Sequence, residues 1–307
     1  MNTTDLQNIS ISEKKQYKKC VNHVFLWVII YNIIVVVIGG VLGSLKVPTG
    51  LESIIATLIG CFVIYISTFK KWPFEPFKTN KKMSAKDFFT FFCLICLMQI
   101  ITLCFVSLFE FLGLKGISIQ LPELTPVFMI YAAFIGPIAE ELIYRGFCIG
   151  NLKKYGRIIA IVLSSIAFGL MHLNAAQFFI GLFMGLILGY IFIEYSIFWA
   201  IIFHILNNFV LATLPSIIFK NIPAEIIDKT EYVIFGIFAI IGIFILIQNK
   251  NKIKEWFASP GTHAEKGSLC QIFKSVWFWI FTIGCLAFIV LMMIFPDVFN
   301  SYMTNIK

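Results

Sequence analysis

Charge is what this chain has least of. Asp, Glu, Lys and Arg make up 13% of its 307 residues, against about 25% in an ordinary soluble domain. Hydrophobic residues reach 59%, which leaves too little polar surface to cover a soluble globule and places the chain in the membrane class. Processing and lipidation marks are also missing. The first apolar run is too long for a signal-peptide core and no small-x-small site follows it. The N-terminus is no myristoylation motif, and Thr304-Asn305-Ile306-Lys307 is no prenylation box. No His-Glu-x-x-His is present, no low-complexity segment stands out, and no inverted repeat of the transporter kind is visible. A net charge of +8 implies no nucleic acid, because the Lys and Arg sit in short loops between apolar runs, where they set membrane topology. Of the eight Cys, Cys93 and Cys96 have CxxC spacing. They lie in an unbroken apolar run with no basic neighbour to make a thiolate, so they read as small buried hydrophobes.

Nine apolar runs are long enough to be spans, at 24–44, 50–69, 88–113, 125–147, 158–173, 177–195, 197–218, 232–248 and 275–296. The fifth is the shortest. With the N-terminus inside, nineteen Lys and Arg fall on the cytoplasmic side and five on the other, so the expected fold is an all-α polytopic membrane bundle of nine spans, N-in and C-out. Residues 1–23 are expected to form a cytoplasmic tail, 24–113 the N-terminal spans, 125–218 a catalytic core and 232–296 the C-terminal spans. Trp72-Pro73-Phe74 and Pro76-Phe77 stand among six Lys in the loop 70–87 and read as an interfacial belt for anionic headgroups. His23 and His263 read as solvated surface histidines. Gly181, Gly185 and Gly189 share one face of the sixth span and predict a close helix–helix contact.

Three spans carry polar groups that apolar packing does not require. In the fourth, Glu140-Glu141 and Arg145 end a run that is otherwise apolar. Each such charge costs about 2.5–3.5 kcal/mol at the centre of a membrane helix. Glu141 and Arg145 are four apart and can pair, whereas Glu140 lies about 100° round the helix. Gly136-Pro137 removes a hydrogen bond just before them and predicts a kinked or opened turn. The fifth span ends on Phe168-Gly169-Leu170-Met171-His172, and the seventh places His204 and Asn208 on one face. By rise along the helix, Glu140 and His204 lie roughly 10 Å below the cytoplasmic end and His172 roughly 20 Å. Taken singly, such residues snorkel or bond helix to helix. Taken together, they predict one polar cavity shared by three spans.

Glu-Glu-x-x-x-Arg, Phe-x-x-x-His and His-x-x-x-Asn, in this order over residues 125–215, resemble the three motifs of the CPBP (Abi) family. These are intramembrane proteases related to type II CAAX prenyl endopeptidases and to bacteriocin-processing and immunity proteins. The resemblance implies an endopeptidase in which Glu140 is the general base and His172 holds the attacking water. Glu141 and Arg145 would orient the site, and His204 and Asn208 would donate to the oxyanion. No cofactor is expected; a zinc ion, were one used, would take Glu140, His172 and His204. The implied partners are membrane lipids and a hydrophobic or lipidated peptide, in a bacterial plasma membrane. A non-enzymatic immunity or regulatory protein is the alternative reading, and a proton-coupled transporter using Glu140 and His172 is a third.

Overall fold

The computed structural model describes residues 3–68, 79–114, 125–219, 221–263 and 269–295, and among these every regular element is a helix. They are α1 (Thr3–Ser44), α2 (Leu51–Thr68), α3 (Ala85–Phe111), α4 (Pro126–Tyr155), α5 (Arg157–Leu170), α6 (Ala175–Glu194), α7 (Ile197–Thr213, continued by Leu214–Ile218), α8 (Ala224–Gln248), α9 (Lys250–Ala258), α10 (Leu269–Phe273) and α11 (Val276–Ile294). The chain is an all-α polytopic bundle. Seven of these helices are long and apolar enough to cross a membrane, and α5 and α7 are shorter apolar helices. At 14 residues, α5 is roughly 21 Å long. Outward faces carry large apolar side chains, such as Ile237, Ile240 and Phe244 on α8 and Ile280 and Ile283 on α11, as a lipid-facing surface requires.

The segment expected to be a cytoplasmic tail is helical from Thr3, and Tyr17 and Val21 near its end are buried in the core. One sequence expectation is corrected here. His23 is half-buried, with its ring 5.9 Å from that of Phe147, because α1 packs on α4 along this stretch, as the Tyr17–Tyr155 ring contact at 4.5 Å also shows. His263 is exposed, and Cys93 and Cys96 are buried as expected. The Trp72-Pro73-Phe74 belt lies outside the described residues.

Close packing sets the positions of the central helices. The three glycines of α6 lie against α5: a Cβ at Gly181 would stand 2.8 Å from Gly169 Cα, one at Gly185 2.7 Å from Ser165 Cβ, and one at Gly189 2.9 Å from Ile161. Small residues on both helices let the backbones touch. The first turn of α5 is capped by the segment after α9, where the Arg157 and Ile158 N–H groups donate to the Gly261 and Thr262 carbonyls at 3.0 Å. At the other end, Gly50 has φ +95° and its backbone meets Phe128, so that a Cβ there would come within 2.4 Å of the Phe128 nitrogen. Thr125 caps α4 and donates to the Thr49 carbonyl at 3.2 Å. The start of α4 is thereby fastened to the α1–α2 turn.

Gly185→Leu should push α5 from α6 and cost about 1–3 kcal/mol, seen as a lower melting temperature in detergent. Gly236→Leu, where an added Cβ would meet no atom within 4 Å outside its own stretch of helix, should not lower the melting temperature.

Candidate active site

The site begins with the backbone of α4, which alternates between α and wider π turns. Tyr131–Ile135 is π-helical, and the Gly136 N–H donates to the Tyr131 carbonyl five residues back. Pro137 follows. Its ring would crowd the carbonyl of the preceding turn in a regular helix, and the wide turn gives it room. A second π stretch, Glu141–Ile149, starts at the carboxylates. Such stretches are rare and occur often at functional sites. The opened turn predicted at Gly136-Pro137 takes the form of two widened segments, one on each side of Gly136–Glu140. A third, Leu206–Thr213, follows His204 on α7.

These turns bring α4 and α7 together around one imidazole. His204 Nδ1 donates to Glu141 Oε1 at 2.9 Å, and its Nε2 faces Glu140 Oε2 at 3.6 Å. Glu141 Oε1 also lies 3.1 Å from Arg145 Nη1. Both side chains of that ion pair are fully buried. Arg145 makes no well-aligned hydrogen bond among the described residues, so the pair is Coulombic rather than a linear N–H···O contact. The guanidinium instead lies 4.5 Å over the Phe168 ring, a cation–π contact that suits a desolvated arginine.

Phe168 joins the second motif to the first and the third. Its ring is edge-on to His204 (5.6 Å between centroids) and to His172 (5.2 Å). His172 is half-buried in the turn after α5, and its Nδ1 donates to the Phe168 carbonyl at 2.9 Å. A carbonyl only accepts, so Nδ1 carries a proton, and in the neutral ring Nε2 keeps its lone pair. The next residue, Leu173, has φ +53°, a left-handed conformation that strains a branched side chain. Asn208 ends a relay across three helices. Gln99 Nε2 donates to Asn207 Oδ1 (2.9 Å), Asn207 Nδ2 to Asn208 Oδ1 (3.0 Å), and Asn208 Nδ2 to the Ala132 carbonyl (3.0 Å). This chain orients every amide in it and leaves Asn208 one N–H.

Glu140, Glu141, Arg145, His204 and Phe168 therefore form a contiguous cluster, with His172 on the far edge of Phe168 and Asn208 one turn along α7. No group of three His, Cys, Asp or Glu able to hold a metal ion occurs among the described residues. Both nitrogens of His204 face carboxylates, and His172 meets the cluster through the Phe168 ring.

Several residues here were not singled out in the sequence. The hydroxyls of Tyr31, Tyr131 and Tyr144 are within electrostatic reach of Glu140. Tyr131 contacts Thr57 of α2 at 3.3 Å, and Asn32 of α1 donates to the Tyr144 hydroxyl at 3.4 Å. The first two helices thus wall the site. The available signal was Asn32, Thr57 and Gln99, lone polar residues in apolar runs.

Fold and cluster together define a multi-pass membrane protein with a buried acid–imidazole site. Residues 122–210 match the family Rce1-like, described as type II CAAX prenyl endopeptidase Rce1-like, whereas no curated protein and no solved structure matches the chain. The matched segment holds all six motif residues, and the match supports the CPBP resemblance read from them. The match supports a protease of the CAAX type.

Arg145→Met should leave Glu141 buried without its cation and cost about 3–5 kcal/mol. The Arg145→Met/Glu141→Leu double variant should recover most of that loss in a thermal melt.

Proposed function

We propose that this protein is an intramembrane endopeptidase that hydrolyses a peptide bond of a membrane-associated or lipidated peptide. The observation that carries the reading is His204 held between two carboxylates, one fully buried beside Arg145 and the other partly open. With Glu141 occupied by Arg145 and His204, Glu140 is the carboxylate left to act as a base. A water placed between Glu140 and the His172 Nε2 lone pair gives its proton to Glu140 while its oxygen attacks the peptide carbonyl. The free N–H of Asn208 stabilises the oxyanion, and His204 Nε2, its ring orientation set by Glu141, donates to it when that nitrogen also carries a proton. Collapse breaks the C–N bond, and Glu140 returns the proton to the leaving amine. No metal ion enters these steps. The setting we infer is a bacterial plasma membrane, and the partners are lipids and the peptide.

Glu140→Gln and His172→Ala should each lower kcat/KM for a lipidated CAAX peptide by about 10²–10⁴-fold, and Asn208→Ala by about 10²–10³-fold, with melting temperature unchanged. Dialysis against a chelator should leave the wild-type rate intact. Cleavage that survives both Glu140→Gln and His172→Ala would point to a non-enzymatic immunity or regulatory role. A proton flux in vesicles that requires Glu140 would point to a transporter. A chelated rate restored only by zinc would overturn the metal-free route.

A further inference from the structure

A second feature lies at the lysine-bearing end of the bundle, away from the acid–imidazole cluster. A cavity of about 690 Å³ opens between α3, α5, α6, α8 and α9, within the about 300–1,000 Å³ typical of small-molecule sites. It shares no lining residue with the cluster. Gly242 brings the backbone of α8 close to the Cys93 carbonyl of α3, at 3.1 Å from an added Cβ. Beyond that contact Ile245 and Leu246 face α5 and α6 across the cavity.

The lining divides by chemistry. The wall is apolar, with Phe91, Leu94, Ile161, Leu186 and Ile187, while Lys81, Lys86, Lys252 and Asp87 stand at the rim beside Tyr190, Tyr195 and Trp256. Lys81 is occupied, donating to the Tyr195 hydroxyl at 3.1 Å and pairing with Asp87 at 3.4 Å. Lys86 and Lys252 are exposed and, among the described residues, have no carboxylate partner. Lys86 also stands in the first turn of α3, where a cation opposes the helix dipole, so helix stability does not account for it. The rim is pre-formed: the Trp256 indole donates to Glu194 at 2.7 Å, and Arg157 holds the same carboxylate at 3.2 Å. Tyr and Trp beside lysines mark the headgroup level of a bilayer.

We propose that this cavity binds one anionic phospholipid, its acyl chains along the apolar wall and its phosphate between Lys86 and Lys252. Charge complementarity selects the occupant, because two unpaired cations above an apolar wall fit an amphiphile with net negative charge better than a zwitterionic one. The proposal does not depend on the peptidase reading.

The test is native mass spectrometry of the full chain in mild detergent, with phosphatidylglycerol, phosphatidylcholine of the same acyl chains, and inorganic phosphate. One phosphatidylglycerol per protein should be retained at least tenfold more tightly than phosphatidylcholine. Lys86→Ala/Lys252→Ala should weaken it by about fivefold per lysine with no change in melting temperature. Leu186→Trp, which fills the wall and keeps both lysines, should abolish retention; its melting temperature shows whether it is folded, and a smaller filling variant, Ile187→Phe, serves if it is not. Equal retention of the two lipids, indifference to the lysine substitutions, or displacement by inorganic phosphate alone would each overturn the proposal.

Discussion

The buried contact of Glu141 with Arg145 and His204 sets the terms for the centre of this bundle. Removing two full charges from water costs several kcal/mol per ion even after relaxation, and their mutual attraction offsets that only with good geometry. Here Arg145 lies over Phe168 and is 3.1 Å from Glu141, which also accepts the Nδ1 proton of His204. Replacement by apolar side chains would often be neutral or stabilising. An ion pair kept at this cost, with its partners drawn from α4 and α7 and its ring from α5, is better explained by the orientation it imposes on His204 than by stability.

The rest of the core can be seen as support for that orientation. The α6 glycines hold α5 close, which sets Phe168 and the turn bearing His172. The Ser164 hydroxyl, also on α5, donates to the Tyr144 carbonyl of α4 at 2.7 Å, next to Arg145. Gln99 on α3 orients Asn208 through Asn207, although α3 lies outside the segment with a family match. Asn32 and Thr57 bring α1 and α2 against the tyrosines near Glu140. Helices without motif residues thus contribute to the geometry of those that have them.

Backbone irregularity is concentrated at the same place. The π stretches of α4 and α7 flank the carboxylates and follow His204, and the positive φ of Leu173 follows His172. Widened turns leave carbonyls and side chains less regularly paired than an α-helix does, and in a membrane protein such backbone is tolerated where protein encloses it or a cavity accepts it. Strain and polarity therefore coincide where the proposed water would sit. The lysine-bearing end shows a different arrangement, with rigid hydrogen-bonded elements around an apolar cavity.

Much of this was legible in the sequence, since run length and charge scarcity are local properties that fix helices in a bilayer whatever their neighbours. The nine runs, the α6 glycine face, the Glu141–Arg145 pair and the three motifs needed nothing beyond spacing. The helical, buried end of the expected tail and the role of α1 and α2 did not follow, because Tyr17, Asn32 and Thr57 acquire meaning only from partners more than 70 residues away. Regular helical spacing turned Glu140 away from Glu141, yet both carboxylates reach His204, one at each nitrogen, across α4 turns that are not regular. The sequence by itself determined which polar groups enter the membrane and on which helices. Only the tertiary structure decided which carboxylate is paired, which remains open, and which imidazole stands between them, because those angles depend on turn width and on helix contacts that no local pattern encodes.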